Sequence, residues 1–285
     1  MTIRVANAPC SYGAFEITVG VLPNVPGPEE VLAAITDAGY EGTELGPSGY
    51  LGDKEELRAR LQHFRLALVG AYVPIRFSER EHWDEDLRAL EHTLDLLDVT
   101  EGEGEPRPVL ADGGPAGELS QAGWRRLTEG VARAAEVARA RGFEPTFHHH
   151  IGTHVERPAQ IERLLEAIDV PLLLDTGHLV LAGGDPVDAL RAWGARVNHL
   201  HLKDARKDVI RESADMSEAW RGGVFCEFGA GDVDLDAFVA VLGKSGYSGW
   251  LVVEQDWIPA PGQDAAEAIA AQRRNRLWLR DHAGL

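Results

Sequence analysis

The stretch PLLLDTGHLVLAGGDPVDALRAWGARVNHLHLKDAR, residues 171–206, decides the fold. It opens on PLLLDT (171–176), a nearly continuous apolar run of the kind a parallel strand buried on both faces shows. DPVDALRAWG (185–194) follows, with Asp and Pro at its start and Gly at its end, the signals of a short capped helix. VNHLHLK (197–203) is strand-like again. A strand, a helix and the next strand in so short a span form one β/α unit.

Outward from there the rhythm continues. Strand candidates fall at 3–8, 42–46, 67–73, 107–112, 144–150, 171–176, 197–203 and 250–255. Helical patterns separate them, among them PEEVLAAITDAG, KEELRARLQHF, DEDLRALEHTLDLL, SQAGWRRLTEGVARAAEVARARG and RPAQIERLLEAI. Eight such units predict an α/β fold, a (β/α)8 TIM barrel filling residues 1–285 as a single domain. A doubly wound nucleotide-binding sheet would carry a Gly-rich turn after an early strand, and none follows 3–8. The string GAGDVD (229–234) lacks the dinucleotide spacing. Two stretches, 99–106 and 204–232, read as irregular. The second, lying after a strand, is expected to be a lid, a pocket wall or an oligomer contact.

A chain of 285 residues with 44% hydrophobic and 26% charged residues has ample material for a large core. Acidic residues outnumber Lys and Arg by 46 to 28, for a formal charge of -18. That field repels phosphate backbones, so no nucleic-acid partner is expected. The two cysteines, Cys10 and Cys226, form no CxxC pattern and no disulfide scaffold. Neither a signal peptide nor a run long enough to span a membrane is present, so the expected location is cytoplasmic.

Side chains able to carry chemistry gather at the strand ends: His148, His149 and His150; Asp175 and His178; His199, His201 and Lys203; and Glu254. Alternate residues of a strand share a face, so His148 pairs with His150 and His199 with His201, while His149 points the other way. Asp175 reads as a metal ligand or as the cap of the following turn. Glu254, after Leu251-Val252-Val253, reads as a ligand or as the partner of Lys203, because a carboxylate buried in a barrel mouth needs a cation. Mixed imidazole and carboxylate donors suit Mn²⁺, Co²⁺, Fe²⁺ or Zn²⁺, with Mg²⁺ less at ease beside imidazoles. Such an ion could polarise a substrate carbonyl and acidify the neighbouring proton, which a carboxylate or imidazole would remove. Lys203 could steady an enolate. Glu44, Tyr72, Arg76 and Trp257, at or just after strand ends, are candidate substrate contacts, and so is His178.

The motifs GTELGPSGYL, HHHIGTHVE, LLLDTGHLVLAGGDP, HLHLKDAR, GAGDVDLDAF and YSGWLVVEQD follow one another in an order that resembles the xylose isomerase-like TIM barrels. That superfamily holds sugar isomerases, epimerases and the family 2 AP endonucleases, and the resemblance is nearest to the inosose dehydratases. It implies a divalent metal held by Asp175, His201 and Glu254. The fifth-strand glutamate of the family is replaced within FHHH, at His148 or else His150. Epimerases of the family use two glutamates as an acid/base pair, so this departure points to a lyase. The implied reaction is dehydration of a polyhydroxylated cyclic ketone such as 2-keto-myo-inositol, with Glu254, His150, His178 and Lys203 as catalytic groups. Isomerisation or epimerisation of a ketose or sugar phosphate is the alternative, and a non-catalytic sugar-binding barrel the alternative of another class. Members of the superfamily are often dimers or tetramers, so the resemblance also allows a homo-oligomer.

Overall fold

In the computed structural model, which describes residues 2–102, 104–115 and 117–285, the expected strands close on one another. They are β1 (Ile3–Asn7), β2 (Gly42–Glu44), β3 (Ala67–Ile75), β4 (Arg107–Asp112), β5 (Thr146–His148), β6 (Leu172–Asp175), β7 (Val197–Leu202) and, after a small hairpin of β8 (Asp204–Ala205) and β9 (Phe225–Cys226), β10 (Gly249–Val253). The ring runs β1-β10-β7-β6-β5-β4-β3-β2, and every pairing in it is parallel. This is the (β/α)8 barrel that the sequence predicts.

The outer helices occupy predicted stretches at α1 (Pro28–Ala38), α2 (Lys54–Phe64), α3 (Trp83–Leu97), α4 (Gln121–Ala140), α5 (Pro158–Ala167) and, after a short unpredicted α6 (Thr176–Leu181), α7 (Pro186–Trp193). After them come α8 (Lys207–Glu212), α9 (Met216–Arg221), α10 (Leu235–Ser245) and α11 (Ala266–Ala283). Their starts are capped as the sequence indicates. Asp53 and Glu56 form a reciprocal capping box on α2, and Asp185 accepts from the backbone of Val187 and Asp188 at the start of α7.

Alternation along the strands sorts the core. Leu251 and Val253 join the large cluster between ring and helices, whereas Trp250 and Val252 pack with Ala6, Ala8 and Val69 inside the ring. The inner face of β10 continues in steps of two to Glu254 and Asp256, and that of β7 runs His199, His201, Lys203. An apolar floor therefore gives way to titratable groups at the C-terminal mouth.

The stretch 204–232 is not irregular, as its composition suggested. It holds the hairpin β8–β9 with α8 and α9 between its strands. Its fastening is Asp204, whose buried carboxylate accepts from the N–H groups of Ala205, Gly229, Gly231 and Val233 at 2.9–3.2 Å. A Cβ on Gly231 would lie 2.2 Å from Asp204 Oδ1, so the glycines of GAGDVD serve a carboxylate of the same chain. In the other stretch read as irregular, Asp98–Thr100 forms a 3-10 turn, and Glu103 lies outside the described residues.

Candidate active site and metal centre

The mouth of the ring encloses a cavity of about 170 Å³ that includes Glu44, Tyr72, His148, His150, His178, His201, Lys203 and Glu254 in its walls. Each arrives by a local rule. Asp175 and His201 are register partners on β6 and β7, which sets them side by side at the strand ends. A register shift between Thr43 and Glu44 turns Glu44 into the ring. Gly70 leaves the room, since a Cβ there would come within 2.9 Å of Glu44 Oε1.

That glutamate organises the floor of the site. Its Oε1 lies 3.0 Å from Nε2 of both His199 and His201. An Nε2–H donated to Glu44 leaves the lone pair of His201 on Nδ1, which faces Glu254 Oε2 at 3.1 Å and Asp175 Oδ2 at 3.6 Å. A neutral ring so placed calls for a cation between Nδ1 and the two carboxylate oxygens; without one, Nδ1 takes up a proton and donates to them. Burial disfavours charge on His201, but Glu254 and Glu44 outweigh it and lift its pKa well above the usual imidazole value.

Asp175 divides its two oxygens. Oδ1 accepts the backbone N–H of His178 at 2.8 Å, the turn-capping role, while Oδ2 makes no hydrogen bond although buried. His148 Nδ1 and His201 Nδ1 are likewise buried and unsatisfied. Donor atoms of these three residues lie within 4.8 Å of one another. Burial pushes the pKa of His148 well below the ordinary value, so it offers a neutral ring.

Lys203 is the cation of the cluster. Its ammonium, 1% exposed, lies 2.8 Å from Glu254, 3.4 Å from Asp175 and 3.2 Å from Asp256. Burial opposes its charge, yet the three carboxylates together raise its pKa well above 10.5. One ammonium cannot neutralise three carboxylates. Asp256 is accordingly held up to about 6, first by burial and then, against the pull of Lys203, by Glu254 and Asp175. The motif DTGH is shaped around this lysine: Thr176 Oγ1 exchanges hydrogen bonds with its backbone, and a Cβ on Gly177 would press within 3.0 Å of its stem.

Two further imidazoles face the cavity. His150 Nδ1 sits 2.8 Å from the Ile151 carbonyl, to which it donates, leaving Nε2 as a free acceptor. Burial, then Lys203, lowers its pKa to about 4. His178 stands 3.8 Å away, ring centre to ring centre, with Nε2 3.3 Å from Lys203 Nζ and Nδ1 without a partner. Because the ammonium donates to Nε2, the imidazole proton of His178 resides on Nδ1.

Not every expected contact is present. Arg76 does not reach the cavity, because Asp86 and Glu85 on the first turn of α3 hold its guanidinium. Trp257 packs its ring against Gly13 behind the wall, and its backbone N–H donates to Cys10 O. Glu44 lines the cavity, but Oε1 serves two histidines. Tyr72 does border it, with its ring 6.3 Å from those of His148 and His150. His149 points away as expected, and its Nε2 accepts the Asp175 N–H at 3.2 Å. Asp256, Cys10, Phe15, Glu16 and Trp220 also line the cavity and were not anticipated. Asp256 could have been found, since it continues the alternation from Glu254. The others sit on turns, a loop and a short helix without periodicity.

The profile of the family described as xylose isomerase-like TIM barrel matches residues 32–282. An inosose dehydratase of Geobacillus kaustophilus is 32% identical over 251 residues, 81% of this chain and 81% of that protein. An inosose dehydratase of Clostridium perfringens is 30% identical over 263 residues, 86% of this chain and 88% of its own. Among solved structures, the IolI protein with a binding zinc atom superposes with a TM-score of 0.78 at 15% identity, covering 99% of this chain and 100% of IolI. The probable 3-DHS dehydratase AsbF from Bacillus anthracis gives 0.73 at 14% identity, covering 98% of each chain. At such identities the superpositions speak for the fold. Among the described residues no helix is long and apolar enough to cross a membrane.

Proposed function

Because the chain belongs to the xylose isomerase-like TIM barrel family, we propose that it is a divalent-metal-dependent hydro-lyase acting on a polyhydroxylated cyclic ketone, with 2-keto-myo-inositol the first candidate. The names of its sequence relatives supply the substrate class. The observation that carries the reaction type is the pair His150 and His178, one with a free acceptor nitrogen and one whose buried Nδ1–H has no partner, both residues lining the same cavity.

His148, Asp175, His201 and Glu254 are the proposed ligands. The donor set fits a divalent ion on two counts. Three of its atoms, His148 Nδ1, His201 Nδ1 and Asp175 Oδ2, are buried without a well-formed hydrogen bond, and the first has no charged partner either, which otherwise costs about 1–3 kcal/mol. The four buried carboxylates Glu44, Asp175, Glu254 and Asp256 also outnumber the two cationic groups among them, Lys203 and protonated His201. A bound ion supplies Lewis acidity to the substrate carbonyl and so acidifies the adjacent C–H. The preference among Mn²⁺, Co²⁺ and Zn²⁺ belongs to this proposal.

His150 Nε2 takes the proton from the carbon beside the carbonyl, for which a neutral ring is required. The electrons of that C–H bond form the new carbon–carbon double bond, and the C–O bond at the next carbon breaks. His178 Nδ1–H protonates the departing hydroxyl, which leaves as water, and Lys203 renews that proton through Nε2. Lys203 also places positive charge near the developing enolate. Glu254 is held by Lys203 through Oε2, so its role here is to bind rather than to shuttle the proton.

Incubation of the protein with Mn²⁺ or Co²⁺ and 2-keto-myo-inositol should produce the ultraviolet absorbance of a conjugated diketone product. Exchange between ketohexose epimers without water loss would move the assignment to an epimerase. Glu44 tests the ligand geometry independently of turnover. Glu44→Gln should weaken Mn²⁺ affinity about 10–100-fold, the usual effect of losing a partner that orients a ligating histidine. A competition titration with a fluorescent chelator reads it, and unchanged affinity would remove Glu44 from that role.

A further inference from the structure

We propose that Phe15 and Trp220 form an aromatic platform that seats the C–H face of a six-membered ring and selects cyclic over open-chain polyols. The inference rests on the reaction proposed above and names what its site adds beyond chemistry. Phe15 lies on the loop that follows β1, and Trp220 on α9 between β7 and β10. Their rings approach to 6.1 Å with planes only 21° apart, and both border the cavity.

The placement is specific. β1 and β7 flank β10 in the ring, so the two aromatics meet over the sector in which β10 runs out to Glu254 and Asp256. Beside apolar wall from Ala8, Pro9, Ala14 and Pro47, the cavity also carries polar side chains that suit hydroxyls and a carbonyl: Glu44, His150, His178 and Lys203. A polyol with its hydroxyls in the ring plane presents C–H groups above and below, a flat apolar face that an aromatic surface matches. An open chain has no such face. The indole N–H of Trp220 is buried and makes no hydrogen bond, so what the residue offers the cavity is its ring.

The anchoring supports the role. α9 is carried by the hairpin β8–β9, and the Asp204 carboxylate ties that hairpin to Gly229, Gly231 and Val233. Trp220 is thus fixed by a device remote from the ligand set, and its removal leaves His148, Asp175, His201 and Glu254 untouched.

The test is calorimetric titration of Mn²⁺-loaded protein with myo-inositol, a ring without the reactive carbonyl, and with sorbitol, an open chain. The native protein should bind myo-inositol at least ~10-fold more tightly than sorbitol. Trp220→Ala should lose about 10-fold in myo-inositol affinity, Trp220→Phe should stay within about 3-fold, and sorbitol binding should change in neither. Manganese content should be equal in all three, which excludes loss of the ion or the fold. Equal binding of myo-inositol by native protein and Trp220→Ala would overturn the platform, as would equal losses for ring and chain or no ring binding at all. Since neither ligand reacts, failure of the dehydration assay alongside the predicted pattern would sink the reaction and leave the platform standing. Turnover with an unchanged KM in Trp220→Ala would do the reverse.

Discussion

Lys203→Met should destabilise the metal-free protein by about 3–5 kcal/mol, the cost of stripping the partner from a buried ion pair. The lysine is 1% exposed and lies within 3.4 Å of oxygens from three carboxylates. Methionine fills similar space, so lost packing contributes little and the effect is electrostatic. Mn²⁺ should restore part of the loss, because an ion held only by the native state stabilises it by about 2.7 kcal/mol at a hundred times its dissociation constant. Urea unfolding with and without Mn²⁺ measures both. A variant as stable as the native protein without metal would show that Lys203 does not neutralise the cluster.

Asp175→Asn should lower metal affinity by more than the ~100-fold typical of a residue behind the ligands, and kcat/KM by at least ~10³-fold. Asparagine keeps an oxygen to accept the His178 N–H, the bond that Oδ1 makes at 2.8 Å. What it lacks is the charge on Oδ2, the atom with no hydrogen bond. The cap, worth about 1 kcal/mol, is therefore kept, and the metal-free protein should lose less stability than Lys203→Met does, because the Lys203 ammonium 3.4 Å from Oδ2 gives up one of its three carboxylates. Asp175→Ala should add that cap loss to the same loss of affinity. Normal metal binding by Asp175→Asn would assign Asp175 to the turn alone.

The barrel was legible because each strand carries its own evidence. LLLD and LVVE are apolar through both faces, and every long helix between strands begins with a cap or a proline, or runs amphipathically. Alternation also placed His199 with His201 and His148 with His150 on the inner face, and turned His149 away. What alternation cannot reach is pairing across the ring. The bond from Glu44 to His199 joins residues 155 apart, on a three-residue strand whose register shifts at Glu44 itself. Arg76 stands at the right place in the sequence for a substrate contact. Only the first turn of α3, which brings Asp86 and Glu85 to it, shows that it is already engaged. The stretch after β7 was expected to be a lid, a pocket wall or an oligomer contact, and through Trp220 it borders the cavity. Its Trp220 could not be singled out, because a six-residue helix leaves too little pattern to read.

The geometry leaves room for both readings of Glu254 and of Asp175. Glu254 pairs with Lys203 and also borders the cavity. Asp175 caps a turn with one oxygen and offers the other. In a site this crowded a carboxylate has two oxygens to assign, and a motif states only that the carboxylate is present.

In the proposed reaction one divalent ion, held by His148, Asp175, His201 and Glu254, lets this cavity expel water from a cyclic keto-polyol. Titrating chelator-stripped protein with Mn²⁺ while recording diketone formation from 2-keto-myo-inositol tests it directly. No product should form without metal, and the rate should rise in step with bound Mn²⁺ to a plateau at one ion per chain. Full-speed dehydration by the stripped protein, or a filled site that produces no diketone, would contradict it.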